Sequence, residues 1–132
     1  MEVVILSGTK LIAALAADAI EALLRRKPDA VLGLATGSSP LPVYNELALR
    51  HERDGLDFSQ VRAFALDEYV GLPAGHPESY REVIRREFTE QVNIDPANVH
   101  GPDGQATDIP AACRAFEDAI RGAGGVDLQL LG

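Results

Sequence analysis

Apolar positions in this chain alternate between short unbroken runs and longer stretches with helical spacing. Val3-Val4-Ile5-Leu6 reads as a first strand, opening at Glu2. From Lys10 to Arg26, Leu11, Leu15, Ala19, Ala22 and Leu23 recur at three- and four-residue steps, so a helix there would turn that stripe inward. Ser7 or Thr9 could cap it, Arg25, Arg26 and Lys27 suit a solvated last turn, and Pro28 stops it. Ala30 to Ala35 is apolar throughout, as suits a parallel strand buried on both faces. It runs directly into Thr36-Gly37-Ser38-Ser39-Pro40, after which Leu41 to Arg53 reads as a helix with Pro40 and Pro42 near its first turn.

The second half repeats the scheme. Phe64-Ala65-Leu66 is a buried strand that ends in Asp67 and Glu68, followed by the breakers Gly71, Pro73, Gly75 and Pro77. A helix is expected from Pro77 to Phe88, with Tyr80, Val83, Ile84 and Phe88 inward. Asn93 to Gln105 is turn-rich and leaves room only for a strand fragment at Val99-His100. Asp108 precedes the series Ile109, Ala112, Cys113, Phe116, Ala119 and Ile120, a helix ended by Gly122, and Val126 to Leu131 has a strand's composition. Strands alternating with helices, without repeat or linker, predict one α/β domain over residues 1–132: a three-layer αβα sandwich on a mainly parallel sheet. The last strand should deliver its carboxyl end into a ligand crevice, so residues 1–132 are expected to be the N-terminal portion of a longer protein.

Composition narrows the function classes. With 46% hydrophobic residues the chain can build a core, and a net charge of -8 argues against non-specific nucleic-acid binding. The single Cys113 forms no internal disulfide and reads as a small apolar residue in a reducing compartment. There is no signal peptide and no apolar run of the ~18 residues a membrane span needs, so a cytoplasmic protein without a membrane partner is expected. His51, His76 and His100 are scattered, which argues against a metal site.

Two segments carry candidate chemistry. Strand, small polar turn and helix start at Thr36, Gly37, Ser38 and Ser39 form an arrangement able to hold phosphate through backbone N–H groups and hydroxyls, although an ordinary capped turn looks the same. Asp67 and Glu68 at a strand end admit a Mg²⁺-holding pair, a general base acting on carbon, or plain solvation of the strand end. The first needs a lysine-bearing phosphate loop, and Lys10 and Lys27 are far from Thr36 in sequence. Both segments follow strands and should open into one crevice, which suits a sugar phosphate losing a proton beside a carbonyl. His76 reads as a structural loop residue.

Asp67-Glu68-Tyr69-Val70-Gly71-Leu72 followed by His76-Pro77-Glu78-Ser79-Tyr80, with the loop Gly33 to Pro40, resembles the glucosamine-6-phosphate deaminases over the whole chain. The 6-phosphogluconolactonases share a similar loop and acid pair, but usually carry Arg after the acids and lack Pro-Glu-Ser-Tyr. The resemblance implies a Rossmann-like sheet and a deaminating hydrolase of amino-sugar catabolism that makes fructose 6-phosphate and ammonia without a cofactor. It implies Asp67 as the base that takes the C2 proton, Glu68 as a neighbour able to tune it, and Thr36 to Ser39 as the phosphate site. An aspartate with an ordinary pKa of ~3.9 would need burial or acidic neighbours to serve well. A ring-opening histidine in an Asp-Gly-His type motif, and further basic residues, are expected beyond Gly132. A lactonase and a non-catalytic sugar-phosphate-binding module remain alternatives, and a homo-oligomer is compatible with all of them.

Overall fold

The computed structural model describes residues 2–132. Four helices and four strands alternate: α1 (Thr9–Arg26), β1 (Val31–Leu34), α2 (Leu41–Asp54), β2 (Arg62–Ala65), α3 (Tyr80–Glu87), β3 (Val99–His100), α4 (Ile109–Gly122) and β4 (Leu128–Gln129). The strands form one parallel sheet in the order β3-β2-β1-β4. The chain therefore winds outward from β1 through β2 to β3, then returns to the other side of β1 for β4.

The two faces of the sheet are covered by different helices. Leu32, Leu34, Ala63 and Ala65 join one core with Ala13, Ala17, Ile20 and Leu24 of α1, Val43, Tyr44 and Leu47 of α2, and Ile84 of α3. Phe64 alternates to the opposite face, where it stacks on His100 at 5.0 Å and meets the edge of Phe116 in α4 at 5.8 Å. Phe88 anchors the first core, lying flat on Tyr44 at 4.8 Å and against the edge of Phe58 at 5.6 Å. This is the expected three-layer sandwich.

Several local expectations fail. Residues 2–6 form no strand, and Val3 and Ile5 are 70% and 91% exposed. Helix α1 starts behind Gly8 without a side-chain cap from Ser7 or Thr9. Its buried stripe is Ala13, Ala17, Ile20, Leu23 and Leu24, while Leu11, Leu15, Ala19 and Ala22 face outward. Small alanines let α1 approach α2, and Arg50 of α2 fixes the rotation. It reaches Asp18 and Glu21 at 2.8 Å and Glu46 at 3.0 Å, and donates to the Ala14 carbonyl at 3.3 Å. Burial works against the Arg50 charge, but Glu46, Asp18 and Glu21 outweigh it and raise its pKa. Arg25 and Arg50 together hold the Glu21 carboxyl below its usual range.

Two further residues behave differently from expectation. Lys27 does not sit free in solvent: it pairs with Asp127 at 2.8 Å, whose Oδ2 also accepts the Val31 N–H at 2.8 Å. Lys27 and that N–H lower the Asp127 pKa, and the clamp draws β4 onto β1. Cys113 is exposed on α4, a helix whose apolar Ile109, Phe116 and Ile120 are only half-buried.

Candidate active site

Parallel register aligns the ends of three neighbouring strands. Leu34 pairs with Ala65, and Gly33 pairs with Gln129. Counting on from those pairs brings Thr36, Asp67 and Gly132 to one level at the carboxyl edge of the sheet. The alignment extends beyond β2 and β4, since the Leu66 N–H donates to the Leu34 carbonyl and the Leu130 N–H to the Gly33 carbonyl, both at 3.0 Å. Gly132 reaches the turn itself, because a side chain there would meet the Thr36 carbonyl at 3.2 Å. The level row straddles β1, the strand at which the winding reverses, where open α/β sheets form their ligand crevice.

The Thr36–Ser39 turn is built to expose backbone. Gly37 has φ 113°, a left-handed conformation that side chains resist, and no atom lies near where its Cβ would be. The glycine is there for its dihedral angle. Gly37, Ser38 and Ser39 are exposed, and their N–H groups find no acceptor among the described residues. Pro40 caps α2, so the turn sits on the positive end of that helix dipole. Tyr44 braces the turn from beneath, donating its buried hydroxyl to the Ala35 carbonyl at 2.6 Å. Burial pushes the Tyr44 hydroxyl well above the usual tyrosine range, so it stays a donor.

Asp67 stands exposed at its strand end, without the burial that sequence reasoning asked of a base. Glu68 is engaged by backbone N–H groups. Its Oε1 accepts the N–H groups of Tyr69 and Tyr80 at 2.8 and 2.9 Å, and its Oε2 accepts that of Arg81 at 3.0 Å. One carboxylate thus ties the loop after β2 to the first turn of α3, where Ser79 adds a cap to the Glu82 N–H at 3.3 Å. Those bonds give Glu68 a holding role in the loop that follows Asp67.

The same loop is clasped from its other side by the turn after β3. The Gly71 N–H donates to the Gly104 carbonyl at 2.8 Å, and Gln105 Nε2 to the Leu72 carbonyl at 2.8 Å. Gly104 comes so close that a Cβ would lie 2.0 Å from the Tyr69 carbonyl oxygen. A cavity of about 380 Å³ opens between these two segments, and neither Thr36 nor Asp67 lines it. His76 accepts the Glu78 N–H at 3.2 Å within the loop, which fits its structural reading. No group of three or more His, Cys, Asp or Glu among the described residues is arranged to hold a metal. Among the described residues no helix is long and apolar enough to cross a membrane.

A pair of aromatic hydroxyls was not singled out from the sequence. Tyr69 and Tyr80 pack ring to ring at 4.7 Å with their hydroxyls 3.2 Å apart. Spacing predicts Tyr80 as an inward helix residue; only its position at the start of α3, in contact with the Asp67 loop, reveals the pairing.

Comparison with known proteins identifies the family and the fold. Residues 7–132 match the family described as glucosamine-6-phosphate isomerases/6-phosphogluconolactonase. The chain is 81% identical over its whole length to a glucosamine-6-phosphate deaminase of Arthrobacter sp. and 64% identical to one of Mycolicibacterium smegmatis. It spans about half of these relatives, 51% of each. Among solved structures, a monomeric glucosamine-6-phosphate deaminase superposes with a TM-score of 0.96 at 35% identity, covering 100% of this chain and 55% of that one. The 6-phosphogluconolactonase of Thermotoga maritima follows with a TM-score of 0.73 at 26% identity, covering 92% of this chain and 53% of its own. The chain belongs to the glucosamine-6-phosphate isomerase/6-phosphogluconolactonase family.

Proposed function

We propose that this chain supplies the phosphate-binding turn and the carbon-acid base of a glucosamine-6-phosphate deaminase. The observation that carries the reading is the Leu34–Ala65 register, which sets Thr36 and Asp67 level on neighbouring strands. Strands pair at ~4.8 Å, so a phosphate on the Gly37–Ser39 amides and a carboxylate at Asp67 lie within the reach of one hexose phosphate. The closer superposition on the deaminase than on the lactonase favours the amino sugar as substrate.

In this reading the 6-phosphate of the open-chain substrate docks on the exposed N–H groups of Gly37, Ser38 and Ser39. Hydroxyls of Thr36, Ser38 and Ser39 add donors. Asp67 then removes the proton from C2, and the C–H electrons form a C1–C2 double bond as the aldehyde oxygen takes up a proton. Return of the proton to C1 leaves an imine at C2, to which water adds before ammonia departs. The chemistry is thus an aldose–ketose isomerisation first, and only its last step is hydrolytic. Both segments come from one chain, so this half of the site needs no second copy.

Ring opening requires an acid/base group that Asp67 does not replace. We assign it to the half of the relatives that this chain does not span, and expect no turnover from the 132 residues alone. The lone exposed thiol of Cys113 supports a reducing, cytoplasmic setting.

Titration of the isotopically labelled chain with fructose 6-phosphate tests the binding half. The amide signals of Gly37, Ser38 and Ser39 should move. Shifts confined to other regions would reject the assignment.

A further inference from the structure

We propose that the Tyr80 hydroxyl is a further substrate-binding group, holding a hydroxyl on the carbon chain of the sugar phosphate between its phosphate and its reacting carbon. The inference rests on the reading of Thr36–Ser39 and Asp67 given above.

Three observations carry it. Tyr80 is the first residue of α3, and its backbone N–H is fixed to Glu68, the residue after Asp67, at 2.9 Å. Its ring lies on Tyr69 at 4.7 Å, so the side chain is held before any ligand arrives. Its hydroxyl meets the Tyr69 hydroxyl at 3.2 Å, and a phenol that can both donate and accept keeps capacity for another partner.

The Tyr80 amide and ring are tied to Glu68 and Tyr69, the two residues that follow Asp67, which sets that hydroxyl at the Asp67 end of the site, and its electrostatics agree. Its pKa is raised first by the Tyr69 hydroxyl, then by partial burial and by the Asp67 charge, while the Thr36 hydroxyl pulls it down. Both the phosphate turn and the base therefore act on one phenol. A sugar anchored by its 6-phosphate, with C2 presented to Asp67, has its C3 to C5 hydroxyls in the intervening stretch. Pre-fixed aromatic side chains lose little freedom on binding, which favours such a contact.

Binding of fructose 6-phosphate and of inorganic phosphate to the full 132-residue chain separates this role from its alternatives. Tyr80→Phe should weaken fructose 6-phosphate about tenfold, the value of one hydrogen bond, and leave inorganic phosphate within about twofold. A 3-fluorotyrosine label at Tyr80 in the otherwise unaltered chain gives a second readout. Its fluorine signal should shift with fructose 6-phosphate and stay still with inorganic phosphate. Equal weakening of both ligands would show that Tyr80 only supports the phosphate turn, and would overturn the proposal. So would an unchanged fructose 6-phosphate affinity together with a silent label. Gly37→Ala should weaken both ligands; if it weakens neither, the phosphate turn itself is misassigned and the proposal falls with it.

Discussion

The Glu68 carboxylate accepts the backbone N–H of Tyr80 at 2.9 Å, binding the end of β2 to the start of α3. With Tyr69 and Arg81 as its other donors, it serves three N–H groups at once. Removing it leaves the first turn of an eight-residue helix without these acceptors. Glu68→Ala should lower stability by about 2 kcal/mol, within the range for charge-assisted hydrogen bonds at a half-exposed site. Urea unfolding gives the loss, and amide exchange locates it: the Tyr80 and Arg81 amides should exchange faster while those of β1 stay protected. Unchanged exchange at Tyr80 would contradict the holding role.

Gly104 should tolerate no side chain. A Cβ there would sit 2.0 Å from the Tyr69 carbonyl oxygen, a backbone atom that cannot swing aside. Gly104→Ala should cost about 1–3 kcal/mol, as overpacking does, and should displace the loop that carries Tyr69. The amide signals of Tyr69 to Leu72 report that displacement. Gly122, with open space around its Cβ position, is the control: Gly122→Ala should leave the loop signals unmoved.

Acid should loosen the β4 edge. The Asp127 carboxyl is lowered from its usual 3.8 by Lys27 and the Val31 N–H. A carboxyl lowered by folding contributes stability fully present above its unfolded pKa and lost as pH falls through its folded value. Here that means a loss beginning near pH 3.8 and continuing below it. Glu21 and Asp57 are lowered too and add to the effect in the same direction. Asp127→Asn should cost of the order of 1 kcal/mol at neutral pH and flatten the acid limb of a stability–pH curve. An acid limb identical to that of the unaltered chain would contradict the clamp.

Much of the architecture was legible because its signals are local. The unbroken apolar run Ala30 to Ala35 and the residues Phe64 and Ala65 marked the two central strands, and Asp108 caps α4 by accepting the Ala111 N–H at 2.8 Å. The inner face of α1 was not legible, since Leu11 to Ala17 is apolar on every side and periodicity cannot choose among its faces. Tertiary contacts with Arg50 and α2 chose the alanines. Residues 2–6 have a strand's composition, but a strand needs a partner edge and they have none among the described residues. The candidate site was found through the strand ends, yet the task of Glu68 depends on donors twelve and thirteen residues away. Gly104 and the Tyr69–Tyr80 pair likewise depend on contacts that no spacing rule encodes.

The assignment of Asp67 as the base is tested most directly by exchange of the C2 proton of glucosamine 6-phosphate with deuterated solvent. The assay uses this chain completed by the remaining half of its 81%-identical Arthrobacter relative. Asp67→Asn keeps size and polarity and removes the proton-accepting carboxylate, so exchange should fall by about 10² to 10⁴-fold. The loss should appear in kcat more than in KM, because the proton moves only in the transition state. Glu68→Gln should reduce exchange far less. Near-normal exchange in Asp67→Asn, or exchange abolished by Glu68→Gln alone, would contradict the account.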